Sequence, residues 1–235
     1  TQKQTEGKKK KDVKAKKDVL KQKATDKTLY QRFVEKLSKA FPGVEVVTSQ
    51  KEFDALLKDL NAKKLLTKNK KIYGVVYEGK LYLNPNLENY NTPVHEFGHI
   101  WLNTAKTLKK ELYEKGIGLI KDSDYVKQIQ DNKEYQQVIK QMKKDGATKA
   151  EIDQYILEEA LATAIGDKGQ SFVTESQKNN FKTWLTDLFN FVKKLTGISK
   201  LTATEVQNLN LDQFLQGVVV DIMSENPLFK KAELS

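Results

Sequence analysis

Apolar residues first recur at helical spacing at Leu29, Phe33 and Leu37. There Thr28-Leu-Tyr-Gln31 reads as a capping box that opens a helix, and Pro42-Gly43 ends it. Residues 44–48 (VEVVT) read as a short strand. Ser49-Gln-Lys-Glu52 is a second capping box, opening a helix whose buried face is expected to hold Phe53, Leu56, Leu57 and Leu60. The β-rich runs 72–77 (IYGVVY) and 80–84 (KLYLN) meet at Glu78-Gly79, a hairpin signal. After an Asn-rich loop over 85–91, Thr92-Pro93 marks a helix start, with Thr at the N-cap and Pro at the first helical position.

Beyond that helix the pattern is helical throughout. A polar stretch over about 106–148 holds at least one helix, and a further helix runs over about 149–165 with Gly166 as its stop. An aromatic-rich helix is expected at 181–195, stopped by Gly197. A last helix at 211–223 carries Phe214, Leu215, Val218, Val219 and Ile222. Strand, helix, hairpin and helix followed by helices alone is an α+β order: a small N-terminal sheet, then a mainly helical second half.

Charge divides the chain in two. The formal net charge is +10 over 235 residues, but residues 1–27 hold eleven lysines against Glu6, Asp12, Asp18 and Asp26, a net of +7. The remainder, 28–235, carries only +3 (10 − 7). Residues 1–27 therefore read as a basic, solvated tail capable of weak nucleic-acid contact, and 28–235 as the working domain. All basic residues except Arg32 are lysines, which argues against a dedicated base-reading surface, where Arg predominates. No run of 18 apolar residues exists, so no membrane-spanning helix is expected. The first apolar pair, Val19-Leu20, follows a lysine tract and is no signal-peptide core. Thr1 in place of an initiator Met reads as a processed or excised piece of a longer chain. The absence of Cys excludes disulfides, thiol catalysis and Cys-ligated metal sites.

The two histidines of the chain both fall in His95-Glu-Phe-Gly-His99. On a helix, positions i and i+4 share a face, so both imidazoles can reach one metal ion, with Glu96 beside them as general base toward water. Chance places two histidines four apart in roughly 1 of 120 arrangements, before the intervening Glu is counted. The uncharged flanks Phe97, Gly98, Ile100 and Trp101 suit a buried active-site helix. An open zinc site needs a third protein ligand. The metzincin continuation fails, because Leu102 and Ala105 stand where Gly and a third His belong. With no further His or Cys, the third ligand is a carboxylate.

Residues 158–165 (EEALATAI) place two carboxylates in an otherwise apolar helical stretch, a costly arrangement without a charge partner. Residues one apart on a helix differ by about 100° in direction, so Glu158 and Glu159 do not both face one metal. Glu159 shares its face with Ile152, Tyr155, Ile156, Ala162 and Thr163, whereas Glu158 lies toward Gln154 and Glu151. Glu159 is therefore the favoured ligand and Glu158 the alternate. Tyr155, four residues before Glu159, is the first candidate for an oxyanion donor. The strand over 80–84, which precedes the active helix, is the candidate for pairing with an extended substrate.

These features resemble the gluzincin metallopeptidases. An apolar-flanked HExxH with a downstream Glu-Ala is similar to the thermolysin-type pattern, and Glu159-Ala160 matches its third-ligand position. Thr163 stands where that pattern often has Asp. A wider resemblance covers most of 41–224. It rests on Phe41-Pro-Gly-Val-Glu-Val-Val, Tyr82-Leu-Asn-Pro85, Thr92-Pro-Val-His-Glu-Phe-Gly-His-Ile-Trp101, Glu158-Glu-Ala-Leu-Ala with Ile165-Gly-Asp167, and Asp221-Ile-Met-Ser224. These are similar to the zincin-like domains of polyvalent proteins of phages and mobile elements, crass-like phages included. The resemblance implies a zincin-like fold and a zinc ion on His95, His99 and Glu159. It also implies hydrolysis of peptide bonds by a Glu96-activated water, with phage or host proteins as substrates in the virion or the host cytoplasm. The rival expectations are a narrow regulatory peptidase that cleaves repressors, and a virion-associated structural or DNA-associated protein with a vestigial zinc site.

Overall fold

In the computed structural model, which describes residues 30–31, 33–62, 72, 74–86, 90–177, 188 and 194–224, the α+β order stands: one small sheet and a majority of helix. The predicted tail (1–27) and most of the predicted aromatic helix at 181–195 lie outside the described residues.

The first helical segment brings Phe33 and Leu37 into the core as their spacing requires. Strand β1 (Glu45–Val47) follows, then helix α1 (Gln50–Ala62), where the Ser49 hydroxyl accepts from the Glu52 backbone N–H. Phe53, Leu56 and Leu60 are buried, while Leu57, at the edge of that face, is half-buried. Strands β2 (Gly74–Tyr77) and β3 (Lys80–Leu83) form the expected hairpin. Glu78 and Gly79 both have positive φ (49° and 73°), the backbone sense that matches the strand twist in a two-residue hairpin loop.

The sheet order is β1-β3-β2. β3 pairs in parallel with β1 (Glu45 opposite Lys80) and antiparallel with β2 (Gly74 opposite Leu83). Lys80 Nζ donates to Glu45 Oε1 at 2.8 Å across that register. The strand over 80–84 is thus the central one, with ladders on both sides. It therefore has no free backbone edge for a substrate. Among the described residues the outer strands β1 and β2 each keep one edge without a strand partner.

Helix α2 (Asn91–Leu108) runs through the middle of the protein. It starts earlier than Thr92-Pro93 suggests: Tyr90 is the N-cap, without a side-chain capping bond, and Pro93 falls in the first turn. Proline is tolerated there because the first turn's N–H groups have no intrahelical partner. Val94, Phe97, Ile100, Trp101, Leu102 and Ala105 are all buried. Phe97 stacks on Phe41 at 5.3 Å, and Trp101 meets Phe214 edge-on at 6.1 Å.

The polar stretch resolves into three helices, α3 (Lys110–Ile120), α4 (Asp124–Asp131) and α5 (Lys133–Lys144). Helix α6 (Lys149–Gln177) does not stop at Gly166 but continues for about three further turns. Gly166 and Gly169 are interior positions at the crossing with α2, where a Cβ on Gly169 would lie 2.5 Å from Val94 Cγ1. They are small because two helices approach closely, and the packing gained there outweighs their poor helix propensity. A 3-10 turn (Ile198–Lys200), a short helix α7 (Ala203–Gln207) and α8 (Leu211–Met223) complete the described residues. Both α7 and α8 open with full capping boxes, at Thr202/Glu205 and Asn210/Gln213. Most of the buried side chains from Tyr30 to Met223 form one contiguous cluster. None of the described helices is long and apolar enough to cross a membrane.

Candidate metal centre

His95 and His99 lie one turn apart on α2, and their Nε2 atoms are 3.2 Å from each other. Glu159 comes from α6, 60 residues downstream, with Oε2 3.5 Å from His99 Nε2 and 3.9 Å from His95 Nε2. Of the described residues, this is the one group whose ligand atoms could share an ion. A tetrahedral site with 2.0–2.1 Å bonds separates its ligand atoms by about 3.3 Å. Two of the three separations are within about 0.2 Å of that figure, and the third is about 0.6 Å wide of it. Two nitrogens and one oxygen are a standard donor set for zinc with one position open.

Electrostatics favour a cation here. Burial, and the proximity of His99, pull the His95 imidazole down to about 4, so at neutral pH it is uncharged. The charge of Glu159 and the main-chain carbonyl of Ala162 act weakly the other way. The Nε2 atom of His95 is the one that faces His99 and Glu159. Burial would also lower His99, but the hydrogen bond and charge of Glu159 outweigh it and hold its imidazole above the ordinary value. Burial opposes ionisation of Glu159, yet its hydrogen bond to His99 and the two nearby imidazoles bring its carboxyl below the usual range.

Glu96, next to His95, has its carboxyl raised by burial. It lines a cavity of about 440 Å³ together with His95, His99 and Glu159. The other walls are Gly74, Val75 and Val76 of β2, Ile100 and Asn103 of α2, and Tyr135 of α5. The outer strand β2 therefore borders the ligand cluster.

Glu158 faces elsewhere. Its Oε1 accepts from Lys106 Nζ at 3.0 Å, Tyr113 Oη at 2.5 Å and Gln154 Nε2 at 2.9 Å. Burial would raise its carboxyl, but these donors together hold it below the usual value. It is a structural acceptor joining α2, α3 and α6. Tyr155 is half-buried, with its ring 6.5 Å from that of Tyr135, and is absent from the cavity wall.

Tyr135 is the residue the sequence reading missed. Burial, then the charge of the nearby Glu159 carboxylate, push its phenol well above the ordinary value, with the Thr163 hydroxyl acting the other way, so it remains a donor. Thr163, where the thermolysin-type pattern often has Asp, here adjoins Tyr135. An aromatic residue opening a polar helix was the single sequence signal, and no spacing ties it to Glu159.

No protein family, curated protein or solved structure matches the chain.

Proposed function

We propose that the protein is a zinc-dependent peptidase of the gluzincin type, with His95, His99 and Glu159 as ligands and Glu96 as general base. The observation that carries this reading is the convergence of two imidazoles and a carboxylate from two helices at 3.2–3.9 Å, beside a half-buried glutamate and on the wall of an open cavity. The donor set fits: the His95 imidazole is uncharged, Glu159 is anionic, and the three residues line an open cavity.

A zinc ion held by these residues supplies Lewis acidity to water and to the scissile carbonyl. The chain's own residues do the rest. Glu96 takes a proton from the attacking water as the C–O bond forms, then delivers it to the amine nitrogen as the C–N bond breaks. Burial raises its carboxyl, which makes it a stronger base toward the proton of the attacking water. The Tyr135 hydroxyl, on the cavity wall, is a donor that can hydrogen-bond the developing oxyanion. The free edge of β2 offers main-chain groups to an extended peptide, with Val75 and Val76 as contact surface. Substrates among phage or host proteins follow from the resemblance to polyvalent-protein domains.

Two measurements test this. Reconstituted protein should hold about one zinc per chain, and less than a tenth of an equivalent would overturn the metal assignment. Glu96→Gln should keep the zinc and lose cleavage of a peptide library by orders of magnitude, since an amide accepts no proton. Equal cleavage by both proteins would overturn the mechanism. Bound zinc with no cleavage by wild type would favour a vestigial site in a structural or DNA-associated protein.

A further inference from the structure

Asn103 follows His95 and His99 at the same four-residue spacing, so the three side chains form one row along α2. All three line the same cavity. The Asn103 main-chain carbonyl accepts from the Thr107 hydroxyl at 3.1 Å, within the helix. Its carboxamide is exposed and meets no hydrogen-bonding partner among the described residues. Asparagine is a poorer helix former than alanine, lysine or glutamate, so helix stability does not account for it at an exposed mid-helix position.

Strand β2 supplies the rest of the geometry. Gly74 and Val76 stand opposite Leu83 and Leu81, so all four share one face of the sheet. A Cβ on Gly74 would lie 3.3 Å from Thr92 Cγ2, which sets that face against α2. Leu81 and Leu83 are fully buried there, yet Val76 is 44% exposed, because β2 is an outer strand and the cavity reaches it. An extended peptide added to the open edge of β2 pairs through alternate main-chain groups. The groups on its other edge need partners too. A carboxamide suits them, because it is a neutral side chain that both donates and accepts, as a peptide group does.

Resting on the zinc-peptidase reading, we infer that Asn103 is a substrate-binding residue whose carboxamide holds a main-chain peptide group of an extended substrate, about two residues from the scissile bond. The distance follows from the helix. Four residues of α2 advance about 6 Å beyond His99, and an extended chain covers that in about two residues at about 3.3 Å each. Because the contact is to main chain, it fixes the register of the peptide on the metal without selecting a side chain. It is made before the reaction as well as during it, so it contributes to binding more than to turnover.

Hydroxamates separate the metal from the peptide, since the hydroxamate group binds zinc without any peptide arm. Zinc-loaded wild type and Asn103→Ala should bind acetohydroxamate within about twofold of each other. Hydroxamates carrying a trialanine arm, tested with the arm on either side of the group, should distinguish them. In one of the two directions wild type should bind about 5–50-fold more tightly than the variant, the worth of two neutral hydrogen bonds. N-methylation of the amide about two residues from the hydroxamate should shrink that difference, whereas methylation of an amide that pairs with β2 should weaken both proteins equally. Asn103→Ala should melt at or above the wild-type temperature, so a folding defect would not explain its weaker binding. Equal affinity of the two zinc-loaded proteins for both trialanine hydroxamates would overturn the inference and leave the zinc site standing. A difference that appears only when the arm carries a glutamine side chain would overturn the main-chain assignment. Wild type that holds no zinc would refute the peptidase reading, and this inference with it.

Discussion

Adjacent carboxylates on one helix should behave as opposites, and Glu158 and Glu159 allow this to be measured. Glu158→Ala removes an acceptor shared by Lys106, Tyr113 and Gln154 on a side chain that is 24% exposed. Hydrogen bonds to a charged group contribute about 1.5–3 kcal/mol each when isolated. These three share one oxygen, are partly solvated and are not additive, so a total of about 1.5–3 kcal/mol is the reasonable loss. For a protein of this size each kcal/mol shifts the melting temperature by about 2–4 °C, so the metal-free variant should melt about 3–12 °C below wild type. Its zinc affinity should stay within about threefold of wild type, because the carboxylate points away from the ligands.

Glu159→Ala should do the reverse to metal binding. Free zinc at 1,000 times the dissociation constant stabilises a folded protein by about 4 kcal/mol, which corresponds to an upward shift on the order of 10 °C. Wild type and Glu158→Ala should both show that shift on zinc addition, the variant from a lower baseline. Glu159→Ala should not show it. Thermal melts with and without zinc, paired with metal content, read all of this in one experiment. If Glu158→Ala loses the zinc-induced shift and Glu159→Ala keeps it, the ligand assignment is wrong. If Glu158→Ala leaves the metal-free baseline unmoved, the three-donor junction does not stabilise the fold.

Tyr135→Phe should retain zinc and lower peptide turnover by about 10²-fold or more, the cost of removing one oxyanion donor, while Tyr155→Phe stays near wild type; the opposite ranking in a steady-state assay would return the role to Tyr155. Asp221 is fully buried and accepts from the Ser199 N–H and hydroxyl at 3.0 Å each. Asp221→Ala strands these donors at the 3-10 turn and should cost about 3 kcal/mol in urea unfolding, with no change in zinc affinity; a loss below about 0.5 kcal/mol would show that water replaces the carboxylate.

The histidine pair, the glutamate beside it and the helix that holds them were legible in the sequence, as were the Glu78-Gly79 turn and the limits of α8 at Leu211–Met223. Each depends on interactions within a few residues: helical periodicity sets which side chains share a face, and turn chemistry sets where φ becomes positive. The choice of Glu159 over Glu158 was also partly legible, because two neighbours on a helix point in different directions and one direction was apolar. What stood across from each face was not. Only the packing of α6 on α2 set Glu159 against the imidazoles and gave Glu158 its own three donors from α2, α3 and α6. The same packing turned Gly166 from an apparent helix stop into a point of contact, since a missing side chain reads identically at a helix end and at a helix crossing. Strand order likewise needed the third dimension, because a hairpin has two outer edges and β1 took the one that β3 presented. Tyr135 entered the cavity from a polar helix whose sequence gave no sign of what lay beneath it. Local spacing determined which groups could act together along one helix; the meeting of helices far apart in sequence decided which partners completed them.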